Sequence, residues 1–213
     1  VASGGPGETA GLKAGDGIFP AVESKGAAET WTVQRGGSSF EVKLTPAQVA
    51  GGARVFQVHD IYEDREGMLW FGLWPGQIVR YDLREPEGET RLFELGWKPQ
   101  ATGPRILQTE DGTIWAVSSS AWGGISRFDG RDWTSFNLRD EGGTDMNPDI
   151  VQTRDGTVWV SGQGGRLHGY RKGRWTVYKN PEVPTPGIYN FLLEASDGAL
   201  WIGGVGQEAV RFD

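Results

Sequence analysis

The residues best equipped for chemistry in this 213-residue chain are few: two histidines, His59 and His168, and no cysteine. An imidazole acts as a general base or metal ligand only with partners. Neither histidine has a second histidine or a carboxylate at a ligand spacing such as His-x-Glu-x-His. No Gly-x-Ser-x-Gly elbow and no phosphate-binding glycine loop is present either. The expectation is a non-enzymatic chain with no catalytic residue, no metal site and no cofactor. Asp111, Asp155 and Asp197 each precede a glycine; an Asp opening a tight turn hydrogen-bonds its own backbone, so these acids read as turn formers. Glu63, Gln108, Gln152 and Glu194 recur at one spacing and read either as a row facing water or ligand, or as plain solvation of a strand. Recognition chemistry is better represented. Trp74, Trp97 and Trp122 occur in loop-like stretches without counterparts elsewhere in the chain, and Gln77, Asn147, Gln163 and Gln207 occupy similar stretches. A flat indole stacks on a sugar or a peptide while amides supply directional hydrogen bonds, so these seven are the candidate ligand-binding residues.

The elements that must position them come from a repeat. Aligning on tryptophan gives Glu66-Gly-Met-Leu-Trp70, Asp111-Gly-Thr-Ile-Trp115, Asp155-Gly-Thr-Val-Trp159 and Asp197-Gly-Ala-Leu-Trp201, at spacings of 45, 44 and 42 residues. Nine and eight residues before each Trp stand the apolar pairs Ile61 and Tyr62, Ile106 and Leu107, Ile150 and Val151, Leu192 and Leu193. An aromatic, Tyr81, Phe128, Tyr170 or Phe212, follows each Trp by 11 to 13 residues. Acid-Gly between two apolar runs is a strong hairpin signal. Each copy therefore predicts a strand, a tight turn, a strand through the Trp, a glycine-rich loop and a third strand. A fourth is predicted over Arg91 to Leu95, Asp132 to Leu138 and Arg174 to Tyr178. Four antiparallel strands in roughly 44 residues make one propeller blade. The predicted fold class is all-β, a partial β-propeller of about four blades, spanning 54–98, 99–142, 143–184 and an incomplete 185–213. Regular aromatic spacing is a packing signal, so the four repeated Trp residues read as core between blades.

The stretch Ile61 to Gly72, followed by Ile78-Val-Arg-Tyr-Asp82, resembles the two-component regulator propeller repeat of the sensor regions of bacterial hybrid histidine kinases. The resemblance covers about Val55 to Asp213; it departs from the pattern at Leu167-His-Gly-Tyr170, where a hydrophobic-Arg-aromatic run is usual, and in the fourth copy, which ends before its fourth strand. It implies a ligand-sensing or ligand-binding module of a bacterial signalling protein, periplasmic or extracellular, whose partner is a small-molecule or carbohydrate-derived ligand or a protein. An envelope or secreted interaction scaffold is a second reading. Propeller lyases of the virginiamycin B type, which share Asp-Gly-Ala-Leu-Trp blades, are a third, although they need a metal and a histidine base. Residues 1–48 resemble a truncated bacterial PDZ segment: Glu8-Thr-Ala-Gly-Leu-Lys-Ala-Gly-Asp16 carries a short helix through Ala10 to Leu12 and a Gly-Asp turn. A closing hairpin follows over Thr30 to Arg35 and Ser39 to Thr45. With little room for a groove helix, this remnant is expected to bind no peptide.

Composition narrows the partners. The net charge is −7 with no obvious basic run, so the electrostatic footprint of nucleic-acid or acidic-lipid binding is missing. Glycine numbers 34, about 16% against an ordinary level of about 7%, which fits a chain that turns often. No apolar stretch is long enough to span a bilayer, and residues 1–30 carry no leader pattern. The chain starts at Val1 and stops at Asp213 inside an apparent strand, and both ends read as cuts in a longer protein. Three blades and a fraction are expected to form an open arc, with Phe40 to Thr45 staying paired in its own hairpin instead of clasping the last blade.

Overall fold

The computed structural model describes residues 17–20, 29–35, 38–44, 57–74, 76–82, 90–95, 97, 103–119, 124–136, 148–162, 165–179, 188–205 and 209–212. Every regular element among them is a strand. A first sheet holds β1 (Gly17–Pro20), β2 (Glu29–Arg35) and β3 (Ser38–Leu44). Three four-stranded sheets follow: β4 (Gln57–Glu63), β5 (Met68–Trp74), β6 (Gln77–Asp82) and β7 (Thr90–Glu94); β8 (Arg105–Gln108), β9 (Ile114–Val117), β10 (Ile125–Phe128) and β11 (Trp133–Phe136); β12 (Ile150–Gln152), β13 (Val158–Gly162), β14 (Arg166–Arg171) and β15 (Arg174–Lys179). The last sheet has three, β16 (Ile188–Glu194), β17 (Leu200–Val205) and β18 (Val210–Phe212). Each sheet is an antiparallel meander in chain order, so the partial propeller is the fold of this chain. The hairpin over β2 and β3 forms as expected, and β3 pairs with β2 in a sheet separate from the last blade. The short helix of the PDZ resemblance lies outside the described residues.

Strand alternation explains how blades join. Within each inner pair the first residue, Ile61, Ile106, Ile150 or Leu192, is buried, and from the second blade on it packs against the preceding blade. The second residue, Tyr62, Leu107 or Val151, packs toward the next blade. This period-2 division of one strand between two interfaces is what a doubly covered sheet requires. The repeated Trp belongs to the forward face. Trp70 packs on Phe93 of its own blade and on Phe128 and Trp133 of the next, with centroids 5.9, 5.6 and 6.2 Å away. Trp115 does the same with Phe136, Tyr170 and Trp175 at 5.8, 5.0 and 6.1 Å. Trp159 has two such partners, Tyr178 and Phe212. Trp70, Trp115 and Trp159 are 1%, 2% and 9% exposed, but Trp201 is 39% exposed. The expectation that all four are buried therefore fails at the last copy, whose forward face packs on no described blade.

Two local devices hold the repeat's geometry. Gly67, Gly112, Gly156 and Gly198 sit at φ between 81° and 91° in the turns between first and second strands, a region an L side chain resists. Asp155 accepts hydrogen bonds from the Thr157 amide and from Thr153 Oγ1 at 3.0 and 2.7 Å, and these bonds hold its carboxyl below the usual range. The turn-former reading of the repeated acids is thus what the structure shows. In the third blade Gly169 stands opposite Trp159, where the other blades pair Arg80, Arg127 and Arg211 with their Trp. A Cβ at Gly169 would lie 2.9 Å from Trp159 Cζ3, so the departure at Leu167-His-Gly-Tyr170 lets the indole lie against bare backbone. His168 beside it is fully buried in the blade.

Candidate functional site

The row Gln108, Gln152, Glu194 does not sit idle in solvent. Gln108 Oε1 accepts the amide and Nε of Arg65, at 2.9 and 3.1 Å, from the turn of the preceding blade. Arg65 also donates to the carbonyls of Thr109 and Glu110. Gln152 Oε1 accepts the Glu110 amide at 2.7 Å. The Glu194 carboxylate accepts the Arg154 amide at 3.1 Å, while the Arg154 guanidinium reaches the carbonyls of Ser196 and Ala195. Three successive junctions thus carry the same staple, from a turn amide to the first-strand amide or carboxylate one blade on. The periodicity that marked this row is a joining device.

Three residues before that row on the inner strands, one position breaks the repeat. The residue just before each apolar pair is Asp60, Arg105, Asp149 or Phe191. Asp60 Oδ1 accepts its neighbour Ile61's amide at 3.1 Å, and Oδ2 accepts the Ile106 amide of the next blade at 2.7 Å. Asp149 repeats this with Ile150 at 3.0 Å and, one blade on, Leu192 at 2.9 Å. Arg105 Nη1 lies 3.4 Å from Asp149 Oδ1, crossing the junction between the second and third blades. The junctions are crossed at this level by an acid, an ion pair and an acid in turn. Local packing fixes the row. The Pro104 carbonyl presses on the backbone of Gly72, and Gly103 lies on the ring of His59, so a Cβ at either glycine would collide. Asp149 is held to β13 by its amide donating to Ser161 Oγ at 2.7 Å and its carbonyl accepting the Ser161 amide at 3.1 Å.

The electrostatics follow. Burial pushes the Asp60 carboxyl up to about 6 against the lowering effects of the Ile106 amide and the Arg105 charge, and the Asp149 charge pushes it further up. Asp60 as a residue is half-buried; its carboxyl, engaged by two amides, is the desolvated part. Asp149 is raised for the same first reason, with Arg105 opposing. The Arg105 side chain is 37% exposed and that of Asp149 14%, so the guanidinium is the member of the row that water and solutes reach.

Of the seven residues the sequence singled out, Trp97 and Gln77 have described side chains. Trp97 is half-buried against the core between the first two blades, its Nε1 donating to Ser126 Oγ at 3.1 Å. Gln77 opens β6, and its Oε1 is buried without a hydrogen-bond partner among the described residues. Trp74 is the last residue of β5, opposite Gln57, and so a strand residue where a loop was expected. Trp122, Asn147, Gln163 and Gln207 lie outside the described residues, so no geometry joins the seven into one site. The row of Asp60, Arg105 and Asp149 was missed, although aligning the four copies places an Asp, an Arg, an Asp and a Phe at one otherwise regular position. Among the described residues, no three His, Cys, Asp or Glu side chains are grouped to hold a metal ion. No helix there is long and apolar enough to cross a membrane.

No protein-family model matches the chain, and no curated protein matches it. Solved structures do. A catalytically inactive virginiamycin B lyase from Staphylococcus aureus, with quinupristin, is 16% identical with a TM-score of 0.60 over 92% of this chain and 74% of that one. The extracellular domain of a putative hybrid two component system from B. thetaiotaomicron is 18% identical, TM-score 0.59, over 92% of this chain. A second such domain from the same organism is 14% identical, TM-score 0.58, over 86%. This chain spans 28% of the length of either of those two domains. At such identities the fold is what is shared, and sensor domains and a lyase share it alike.

Proposed function

We propose that this chain is a non-catalytic, ligand-sensing propeller module of a bacterial signalling protein, acting outside the cytoplasmic membrane on a carbohydrate-derived ligand. One observation carries the reading. The repeating side chains named above join blade to blade, whereas the row Asp60, Arg105, Asp149 changes from blade to blade and presents a partly exposed guanidinium beside two carboxylates. In the first blade Asp60 pairs with Gly72, two residues before Trp74, and Gln77 pairs with Leu73. Charged donors and acceptors suit the hydroxyls of a sugar ring. The likeness to the extracellular domains of two hybrid two component systems supports the signalling setting and the location.

Isothermal titration of the 213-residue chain against a panel of neutral and uronic-acid oligosaccharides tests this. The expected result is binding of at least one member, recovered chemically unchanged, and weakened about tenfold or more by Arg105→Ala with the fold retained, since an ordered charged hydrogen bond is worth about 1.5 to 3 kcal/mol. Absence of binding at millimolar ligand, or affinity unmoved by Arg105→Ala, overturns the ligand reading. Turnover of the bound sugar overturns the non-catalytic one.

A further inference from the structure

The residue after each third-strand aromatic is Asp82, Asp129 or Asp213 in three copies, but Arg171 in the third blade. Lys172 follows it at φ 50°, the one residue other than glycine at positive φ among the described residues. With Gly173 at φ 80° it makes the two-residue loop between β14 and β15, a place that Asn or Gly fills without strain. The second blade has Gly130 at the position of Lys172. These residues border a cavity of about 240 Å³ between the second and third blades, walled by the rings of Trp115 and Tyr170 and edged by Asp111, Arg127, Arg171 and Lys172.

The charges around it do not balance. Arg171 is paired with Asp155 at 2.9 Å. Asp111 accepts hydrogen bonds from Thr109 Oγ1 at 2.6 Å and from the Thr113 amide at 3.1 Å. In the fourth blade the arginine opposite the repeated Trp closes on its turn acid, Arg211 to Asp197 at 3.4 Å. Arg127, at the same position opposite Trp115, turns instead to the next blade, its Nη1 donating to Tyr170 Oη at 3.0 Å. Its Nε is buried without a hydrogen-bond partner among the described residues. Among those residues no carboxylate lies within ion-pair distance of Arg127 or Lys172. Three cations against Asp111 and Asp155 leave a surplus of one positive charge at this place, in a chain whose net charge is −7.

We infer that this cavity is a binding site for one small, singly charged organic anion, a carboxylate or sulfate ester carried on a single ring, held by the Arg127 guanidinium and the Lys172 ammonium. Its volume is below the roughly 300 to 1,000 Å³ of sites for drug-sized ligands, so a single ring is what it takes. The aromatic walls suit the body of that ring, and charge-assisted hydrogen bonds suit its oxyanion. A doubly charged phosphate ester fits less well, because the Asp111 carboxylate repels the second charge. Packing requires neither cation. Lys172 adopts a backbone conformation that Gly130 adopts freely, and Arg127 keeps its charge partly desolvated with no carboxylate beside it. The inference is independent of the ligand proposed for the inner-strand row.

The test is a protein-detected NMR titration of the 213-residue chain at pH 7 with benzoate, phenyl sulfate and benzyl alcohol, three probes on one ring. Saturable binding of benzoate or phenyl sulfate is expected near millimolar Kd, the affinity open to so few atoms, with benzyl alcohol about tenfold weaker or more. The tighter of the two anions identifies the oxyanion. Lys172→Asn should weaken that anion about tenfold and leave the melting temperature unchanged or raised, since Asn accepts the left-handed turn. Arg127→Met should weaken it as much; should that variant fail to fold, Lys172→Asn and the neutral probe decide the matter. Arg131→Gln, at an exposed cation of the second blade's turn, and Arg105→Ala should leave the affinity unchanged, which separates this site from general charge attraction and from the inner-strand row. No saturation by either anion up to about 20 mM, well above the expected Kd, overturns the inference. So does equal binding of benzyl alcohol, an affinity that Lys172→Asn does not move, or a loss with Arg131→Gln or Arg105→Ala.

Discussion

Asp60 should make the stability of this propeller fall as pH rises from 4 to 7, the opposite of an ordinary salt-bridged carboxylate. Its carboxyl titrates near 6 in the folded chain against an ordinary 3.8. The folded state therefore binds the proton more tightly than the unfolded state, and between those two values it holds more protons. Stability then decreases with rising pH across the window, with the full penalty present above about 6 and none below 3.8. Holding the charged form in that environment costs about 3 kcal/mol, or about 2 allowing for the partial exposure of the residue. Asp149 adds to the same trend, since its carboxyl is also raised by burial. The turn acids Asp111 and Asp155 act below the window, because their folded values are lowered and their stabilisation is lost only as pH falls beneath the ordinary range. Urea unfolding at half-unit intervals from pH 4 to 7 separates these contributions. Asp60→Asn removes the titration but leaves one cross-blade or local amide without its acceptor, a loss of about 1 kcal/mol at pH 4. Its deficit should shrink, and by pH 7 vanish or reverse. Arg105→Met should do the converse, deepening the loss above pH 6, since the Arg105 charge lowers both carboxyls. Parallel pH profiles for wild type and Asp60→Asn would refute the reasoning, because a desolvated carboxyl cannot be removed without changing the slope.

Two further predictions concern the apolar faces. Trp115→Ala should cost about 3 to 5 kcal/mol as a large-to-small core change, whereas Trp201→Ala, at a residue 39% exposed, should cost clearly less; equal losses in thermal melts would mean that Trp201 is covered in solution. Phe191 and Leu193, 57% and 64% exposed, join Trp201 on the forward face of the last blade, and contiguous apolar surface promotes association, so sedimentation velocity should show self-association that rises with concentration and is suppressed by Leu193→Lys. A monodisperse wild-type chain across a hundredfold concentration range would contradict this.

The fold was legible because a repeat tests itself. One Asp-Gly-Thr-Ile-Trp is a hairpin hint, but four copies with apolar pairs and aromatics at fixed offsets specify strand order, turn position and which face meets which blade. The fourth strands were readable to within a few residues, since Trp133 and Trp175 follow Gly-Arg turns. Exposure of Trp201 was not readable in the same way. The sequence around it matches its counterparts, and burial of a forward-facing ring depends on the next blade, which its own copy does not encode. The row Glu63, Gln108, Gln152, Glu194 showed its periodicity but not its purpose: a period gives direction on a strand, and only the structure shows that Arg65 and Arg154 reach across to it.

The inner-strand row escaped a reading that looked for sameness, and its chemistry explains why it differs from the rest of the repeat. Joining blades at this level needs an acceptor for the next blade's amide, which Asp60 and Asp149 supply to Ile106 and Leu192. Charge makes that joint costly, since both carboxyls are desolvated enough to be raised. An Asn or Ser would accept the same amide without the penalty. Arg105 offsets part of it by an ion pair at 3.4 Å, but a pair with one partner more than a third exposed returns only about 1 kcal/mol or less. Stability alone therefore does not account for an acid, a base and an acid in succession, and costly charges that packing does not require are concentrated at sites that recognise something. The exposed guanidinium is where the two demands separate. If the row serves only to join blades, Arg105→Met moves the unfolding midpoint and the pH profile and nothing else. If it also reads a ligand, Arg105→Met lowers affinity at a pH where its stability is unchanged, and near pH 4, where the Asp60 carboxyl is protonated and its charge no longer needs offsetting, that comparison is sharpest.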